Sequence, residues 1–314
     1  MSLAIRVVNP ILSQFARGYR QRQLVARELF PLAPVMQYGG QVLEFGKESF
    51  RAYVTKRAPG ANKRRIRFGY TGKPYSIIPS DIEGVVPFEH MRDAAQVPGI
   101  DLGQRAISLA LNSVLLTHEI DAAALATNAA NYPSTHKVTL TSTARWTSPD
   151  SDPIADIAAG RDAVATSTGM DPNTLVLSRS CYYALQRHPD IINRVATNIT
   201  RTVTLDTLQA IFEVPRIIVA AAIQATGVDD TLTPIWGDDA VLAYVPQGNG
   251  DASANAEEPG YGYTYYIDGH PVVEEPYQDR NASSWIYPVA FHQTPVLSGI
   301  LAGYLFKDAG AAFA

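Results

Sequence analysis

The chain has 314 residues, 46% hydrophobic and 18% charged, a composition that builds packed cores and excludes a wholly disordered chain. One cysteine excludes an intrachain disulfide and a cysteine-built zinc site, and fits folding in a reducing compartment. The net charge of −4 hides a division: residues 1–75 hold 14 Lys+Arg against 3 Asp+Glu (+11), and residues 76–314 hold 12 against 27 (−15). A segment so basic on a body so acidic suits binding to nucleic acid, or to the acidic body of another copy.

The length fits two ordinary domains or one elaborate one. The first residues, MSLAIRVVNPILSQFARGYR, lack the long apolar run of a signal peptide, because Asn9, Pro10, Ser13 and Gln14 interrupt it. No stretch of about 18 apolar residues occurs, so no membrane span is expected and the protein reads as soluble and intracellular when made.

Residues 1–40 read as an extended arm with at most a short helix around 11–28, since Pro10, Pro31, Pro34, Gly39 and Gly40 punctuate it. Residues 41–57 carry strand-favouring Phe50, Tyr53 and Val54 among Arg51, Lys56 and Arg57. Pro59, Gly60 and Asn62 supply a turn, and Ile66, Phe68 and Tyr70 alternate with Arg65, Arg67 and Gly69 on the way back. The pattern predicts a long hairpin whose tip and one face are basic, with Lys63 and Arg64 at the turn. A lone hairpin is marginal in water and needs a surface to lie on.

Residues 100–131 form the clearest helix, capped by Asp101. Ile107, Leu111, Val114, His118, Ala122 and Leu125 make one stripe, and Leu102, Leu109, Leu116, Ile120 and Ala123 widen it. A helix apolar over so much of its circumference must be covered on more than one side. His118, on the stripe, reads as a core or interface residue.

A short strand and polar loop follow over 133–152, then a helix from 154 ending near Gly169. Leu175–Leu177 is a buried strand, 205–214 a helix capped by Thr204, 216–223 a buried strand and 240–246 one more strand. Residues 248–262 are a loop by composition, and the remainder is strand-rich.

The stretch VLSRSCYYALQRHPDIINRV, residues 176–195, has the look of a catalytic turn: strand, small polar residues, Cys181, helix, His188. Seven residues of helix place Cys181 and His188 roughly 10 Å apart, whereas a base must stand within ~3 Å of the proton it takes. Ser178 and Ser180 lack the glycines of a nucleophile elbow. A structural joint accounts for each feature. Ser178 caps the helix, Pro189 ends it at His188 and opens the next, and Asp190 complements the new N-terminus. Among the six histidines no metal-binding spacing occurs, and the paired acids (Asp229-Asp230, Asp238-Asp239, Glu257-Glu258, Glu274-Glu275) point to opposite faces wherever they lie in strands. No catalytic residue, metal or cofactor is expected.

The order of these parts resembles the major capsid proteins of tailed double-stranded DNA phages, whose fold is shared with encapsulin shells. The specific portion is NTLVLSRSCYYALQRHPDIINRV followed by TLDTLQAIFEVPRIIVAAAI. It matches the family's strand, helix, H-P-x-I-x-x-R and short helix at Leu175, Leu177, Leu185, His188, Pro189, Ile191, Arg194, Leu208, Phe212, Val214 and Ile218. The resemblance implies an α+β fold with an N-terminal arm (1–40), an extended hairpin loop (41–88) and an axial domain (151–269). The peripheral domain would take 89–150 and 270–314 around a spine helix over 101–131.

It implies a shell subunit that assembles as hexamers and pentamers into an icosahedral head. Portal and scaffold proteins, and in some members decoration or cement proteins, would be its partners. The DNA would be enclosed without sequence-specific binding, the shell would involve no membrane, and assembly would take place in the host cytoplasm. The arm is shorter than the scaffolding segment some members carry, which implies a separate scaffold or prior trimming. Lys47, Lys56 and Lys63 are available for the crosslink some members form, with no acceptor assignable. The rivals are a nanocompartment shell of the same fold, and a cytosolic α/β enzyme or nucleic-acid-binding protein using the basic segment 47–73. The basic residues expected to touch an acidic neighbouring subunit are Arg51, Lys56, Arg57, Lys63, Arg64, Arg65 and Arg67.

Overall fold

The computed structural model describes residues 9, 12, 13, 16, 24–43, 72–94, 101–195, 203–226, 231–246, 258 and 260–312. In chain order the first half contains α1 (Ala26–Leu29), β1 (Leu32–Val35), β2 (Gly39–Leu43), β3 (Gly72–Ser76), β4 (Asp81–Pro87), α2 (Phe88–Ala94), the long α3 (Leu102–Ala126), β5 (Lys137–Thr139) and α4 (Pro153–Thr168). Next come β6 (Thr174–Ser178), α5 (Arg179–Arg187), α6 (Pro189–Val195), α7 (Leu205–Phe212), β7 (Arg216–Ala220), β8 (Ile223–Thr226), β9 (Thr231–Pro234) and β10 (Ala240–Ala243). The last strands are β11 (Gly262–Ile267), β12 (Val272–Val273), β13 (Tyr277–Asp279), β14 (Ser284–Ala290), β15 (Gln293–Leu297) and β16 (Gly303–Lys307).

A five-stranded sheet, ordered β5-β16-β10-β6-β7, is buried on both faces. That is why Leu175–Leu177 of β6 are apolar without a break: Leu175 and Leu177 enter one core with Trp146, Ile157, Leu185, Leu208 and Phe306, while Val176 enters another with Trp236, Tyr261 and Leu305. The register aligns Leu305 with Val241, Val241 with Val176, and Val176 with Ile218. Helices α4 to α7 cover the first face; α1 and the end of α3 help cover the second.

Local signals set these helices. Asp152 Oδ1 caps α4 and Gly169, at φ 71°, closes it; Thr204 Oγ1 caps α7. The sheet crosses the domain boundaries expected at 150 and 270, because β5 and β16, placed with the long helix by sequence, are hydrogen-bonded into it.

The second assembly is α3 laid on the sheet of β4, β14, β13 and β12. Gly84 in β4 permits the approach: a Cβ there would stand 2.8 Å from the Ala106 carbonyl oxygen. The helix is five residues shorter at its C-terminus than the 101–131 expected. It ends at Ala126, where Thr127 Oγ1 donates back to the Ala123 carbonyl and Asn131 Nδ2 to the Leu125 carbonyl. Its N-cap is Asp101, whose Oδ1 accepts from Gln104 N. No helix among the described residues is long and apolar enough to cross a membrane.

Part of the expected arm belongs to the body. β1 pairs in parallel with β11, from Leu32 opposite Thr264 to Val35 opposite Ile267. Pro34 is compatible because β1 is an edge strand, where a missing N–H costs no ladder bond; Pro295 lies on the opposite edge of the same three-stranded sheet. Glu119, in the middle of α3, reaches across to accept from the amides of Val25 and Ala26 at 3.1 and 2.8 Å. Farther out, Ser13 exchanges hydrogen bonds with the Val273 backbone in β12.

Candidate assembly interface

The hairpin is described at its root. β2 and β3 pair antiparallel, from Gly39 opposite Ser76 to Leu43 opposite Gly72. Arg51, Lys56, Arg57, Lys63, Arg64, Arg65 and Arg67 lie outside the described residues. The root is held by packing: the Tyr75 ring stacks on Tyr265 at 4.7 Å and 13°, and Ile77 is buried with Ala33, Tyr263 and Tyr265.

The sheet of β4, β14 and β13 has one face against α3 and one without a partner among the described residues. Alternation along β4 puts Ile82, Gly84 and Val86 on the helix side, and Asp81, Glu83 and Val85 on the other. Across the register, Tyr277, Ile286 and Pro288 share that outer face. Tyr277 donates to Glu83 Oε1 at 3.1 Å. Its hydroxyl is pushed above the usual tyrosine range, first by that bond, then by desolvation and by the charges of Glu83, Asp279 and Glu274. The outer face is thus an apolar stripe in a strongly negative field, with Glu275 exposed beside it and Arg280 on the adjoining turn.

Beside this face runs a cleft of about 580 Å³ between β4 and α3, lined by Leu24, Ile82, Val85, Leu109, Leu116 and Ile223 among others. Leu109 is 71% exposed. The described residues therefore cover α3 on its sheet side and leave Leu109 open, together with the exposed Ser113, Thr117 and Asp121.

The joint residues are adjacent in space as well as in sequence. Ser178 Oγ accepts from Cys181 N at 3.3 Å, and α5 ends at His188, where α6 begins with Pro189. His188 is buried, with Nε2 3.1 Å from both the Ser148 carbonyl and Ser151 Oγ; its Nδ1 accepts from Asp190 N at 3.3 Å. The ring ties the α5–α6 joint to the loop before α4. Cys181 is fully buried, its Sγ donating to the Asp238 carbonyl at 3.3 Å. Burial pushes the thiol up to about 12. A thiol-specific reagent should find no reactive group in the folded subunit and one per chain after denaturation. Fast labelling of the folded protein would show that the α5 N-terminus opens.

Two buried histidines make further cross-links. His118 is pulled down to about 3 by burial, then by the nearby Arg27 charge, and its Nε2 lies 3.0 Å from Thr264 Oγ1 in β11. His292 joins Asp81 and Tyr38, residues that no local spacing in the sequence connects. Asp81, His292 and Tyr38 have the connectivity of an orienting acid, a base and a hydroxyl. Neither the cleft beside α3 nor a second one of about 610 Å³ near His188 is lined by them. Among the described residues no group of three or more His, Cys, Asp or Glu could hold a metal ion.

Comparison with known proteins places this geometry in context. The family described as phage major capsid protein E matches residues 129–283. A major capsid protein of Burkholderia phage BcepMu is 36% identical over 303 residues, 96% of this chain and 97% of that one. The crystal structure of a phage-related protein from Bordetella bronchiseptica RB50 is 53% identical, with a TM-score of 0.85 over 98% of this chain and 99% of that one. The putative capsid protein of a prophage in E. coli CFT073 shares the fold at 14% identity, with a TM-score of 0.56 over 97% and 99% of the two chains.

Proposed function

The chain belongs to the major capsid proteins of phages, and from that premise we propose that it closes an icosahedral head as hexamers and pentamers around double-stranded DNA. The observation that carries the reading is the incompleteness of one copy: the open face of α3, with Leu109 71% exposed, and the outer β4–β14–β13 face both need a cover that the described chain does not supply. The acidic outer face takes the basic hairpin of a neighbouring subunit, through Arg51, Lys56, Arg57, Lys63, Arg64, Arg65 and Arg67. The five-stranded sheet with α4 to α7 forms the axial domain that gathers at the symmetry axes. The peripheral domain is α3 with its four-stranded sheet, and Ser178, His188, Pro189 and Asp190 hold the α5–α6 corner of the axial domain rigid.

The capsid family is a structural one, so no catalytic role is assigned. An acidic body suits a wall that encloses DNA without gripping it, since tight phosphate binding needs a basic lining. Portal and scaffold proteins, with decoration or cement proteins in addition, are the further partners, and assembly occurs in the host cytoplasm before the protein enters the virion. Sequence kinship to a phage capsid protein over nearly the whole chain favours a head over a nanocompartment. Electron microscopy and sedimentation of the purified protein test the proposal. Closed particles, or rings of five or six, are the expected result; monomers under every condition, including co-expression with a scaffold, would count against it.

A further inference from the structure

The root of the hairpin carries a polar relay, centred on a buried histidine, that surface complementarity between subunits does not call for. His292 is 2% exposed in its side chain, with Nε2 2.8 Å from Asp81 Oδ1. Its Nδ1 lies 2.9 Å from the Tyr38 hydroxyl. With Nε2–H donating to the carboxylate, Nδ1 accepts from Tyr38, and both ring nitrogens are satisfied. The His270 ring braces the far side at 4.3 Å between centroids and 33° between planes. The imidazole is therefore fixed by β4 and by the turn before β12, and it presents one fixed acceptor to the hairpin.

Tyr38 is the residue immediately before β2, and it is 45% exposed. Hydrophobic burial alone does not fix a side chain so open; the directional bond to His292 supplies the constraint. The next residues are Gly39 and Gly40, and a Cβ at Gly40 would stand 2.7 Å from the Tyr75 ring. Tyr75 thus lies between the Gly40 backbone and the face of Tyr265, on which it is stacked. A flat aromatic stack resists separation but is weakly selective for rotation in its own plane. The ladder continues past the strands through Ile77 N donating to the Tyr38 carbonyl at 2.7 Å, so movement of Tyr38 is transmitted to both strands of the ribbon.

We infer that Tyr38, His292 and Asp81 are a latch that sets the direction in which the hairpin leaves the body, and that the Tyr75–Tyr265 stack is the pivot about which the ribbon turns when the latch is open. The relevance of that direction to a shell rests on the proposed function: a hairpin reaching a neighbour at both five-fold and six-fold positions must leave at more than one angle. The latch itself is a property of the single subunit.

Paired spin labels in unassembled protein test it. Gln41→Cys, in β2, and Thr117→Cys, on α3, are exposed attachment points, while the buried Cys181 does not label. The otherwise wild-type subunit should give one narrow distance distribution. Tyr38→Phe, which removes one hydroxyl from a half-exposed residue, and Asp81→Ala should each broaden it or move its peak, with the thermal midpoint of Tyr38→Phe unchanged. A Tyr38→Phe distribution superimposable on that of the wild type, whether both are narrow or both broad, overturns the latch. Failure of the wild-type protein to form shells would overturn the proposed function and leave this distance comparison intact.

Discussion

Replacing Glu119 with alanine should destabilise the subunit by about 3–5 kcal/mol, because three buried donors lose their acceptor together. Glu119 is fully buried. Its carboxylate receives Val25 N and Ala26 N, which start α1, and Trp236 Nε1 at 2.6 Å, which comes from the loop before β10. One side chain therefore fastens the N-terminal segment and the five-stranded sheet to the long helix. Glu119→Gln should fall between, since an amide oxygen accepts while its NH₂ group faces a donor.

The same residue gives a pH signature. Burial raises the Glu119 carboxyl above its ordinary value of 4.5, against the bonds from Trp236, Ala26 and Val25 that favour the ionised form. A raised value in the folded state means that folding takes up a proton. The contribution is fully present below the unfolded value and is lost as pH rises through the folded one. Urea titrations of wild type and Glu119→Gln, stepped from about pH 7 to pH 4.5, should therefore show the stability difference growing in favour of wild type as pH falls. A flat difference would mean that the carboxyl titrates as it does in the unfolded chain.

What the sequence makes legible here is local or periodic. Ser178, Thr204, Asp101 and Gly169 act within four residues of the groups they cap, so the ends they mark are readable. The unbroken apolar run of β6 announces a strand covered on both faces. What was not legible depends on contacts between remote segments. β1 reads as arm because Pro34 within it suits only an edge, and edge or centre is decided by β11, more than two hundred residues later. β16 joins the five-stranded sheet through pairing with β10 and β5, which no periodicity encodes. The latch joins Tyr38 and Asp81 through a histidine 254 and 211 residues away. The over-long helix has a simpler cause: 127–131 (TNAAN) holds two alanines and no Gly or Pro to mark a stop, while Thr127 and Asn131 take the last carbonyls.

Reversing Arg64, Arg65 and Arg67 to glutamate should abolish shell formation while leaving the subunit folded. Outside the described residues, these side chains form part of a segment, 44–71, with eight Lys or Arg against two Glu. The surface proposed to receive them carries Glu83, Glu274 and Asp279 around Tyr277, close enough for all three charges to act on its hydroxyl. Each exposed pair contributes only ~0–1 kcal/mol, so no single substitution is expected to matter much. Three reversals turn three attractions into three repulsions, and a closed shell repeats that change at every copy. Salt offers an independent check: the screening length shrinks from ~8 Å at physiological ionic strength to ~3 Å at 1 M, so assembly of the wild type should weaken across that range. The decisive variant adds Glu83→Arg, Glu274→Arg and Asp279→Arg to the triple reversal, restoring opposite charge between copies with the signs exchanged. Particles should return in the sextuple variant and be absent from either triple variant. If the Arg-to-Glu variant instead assembles normally and loses only affinity for DNA, the hairpin contacts nucleic acid and the outer face of β4, β14 and β13 is not its partner.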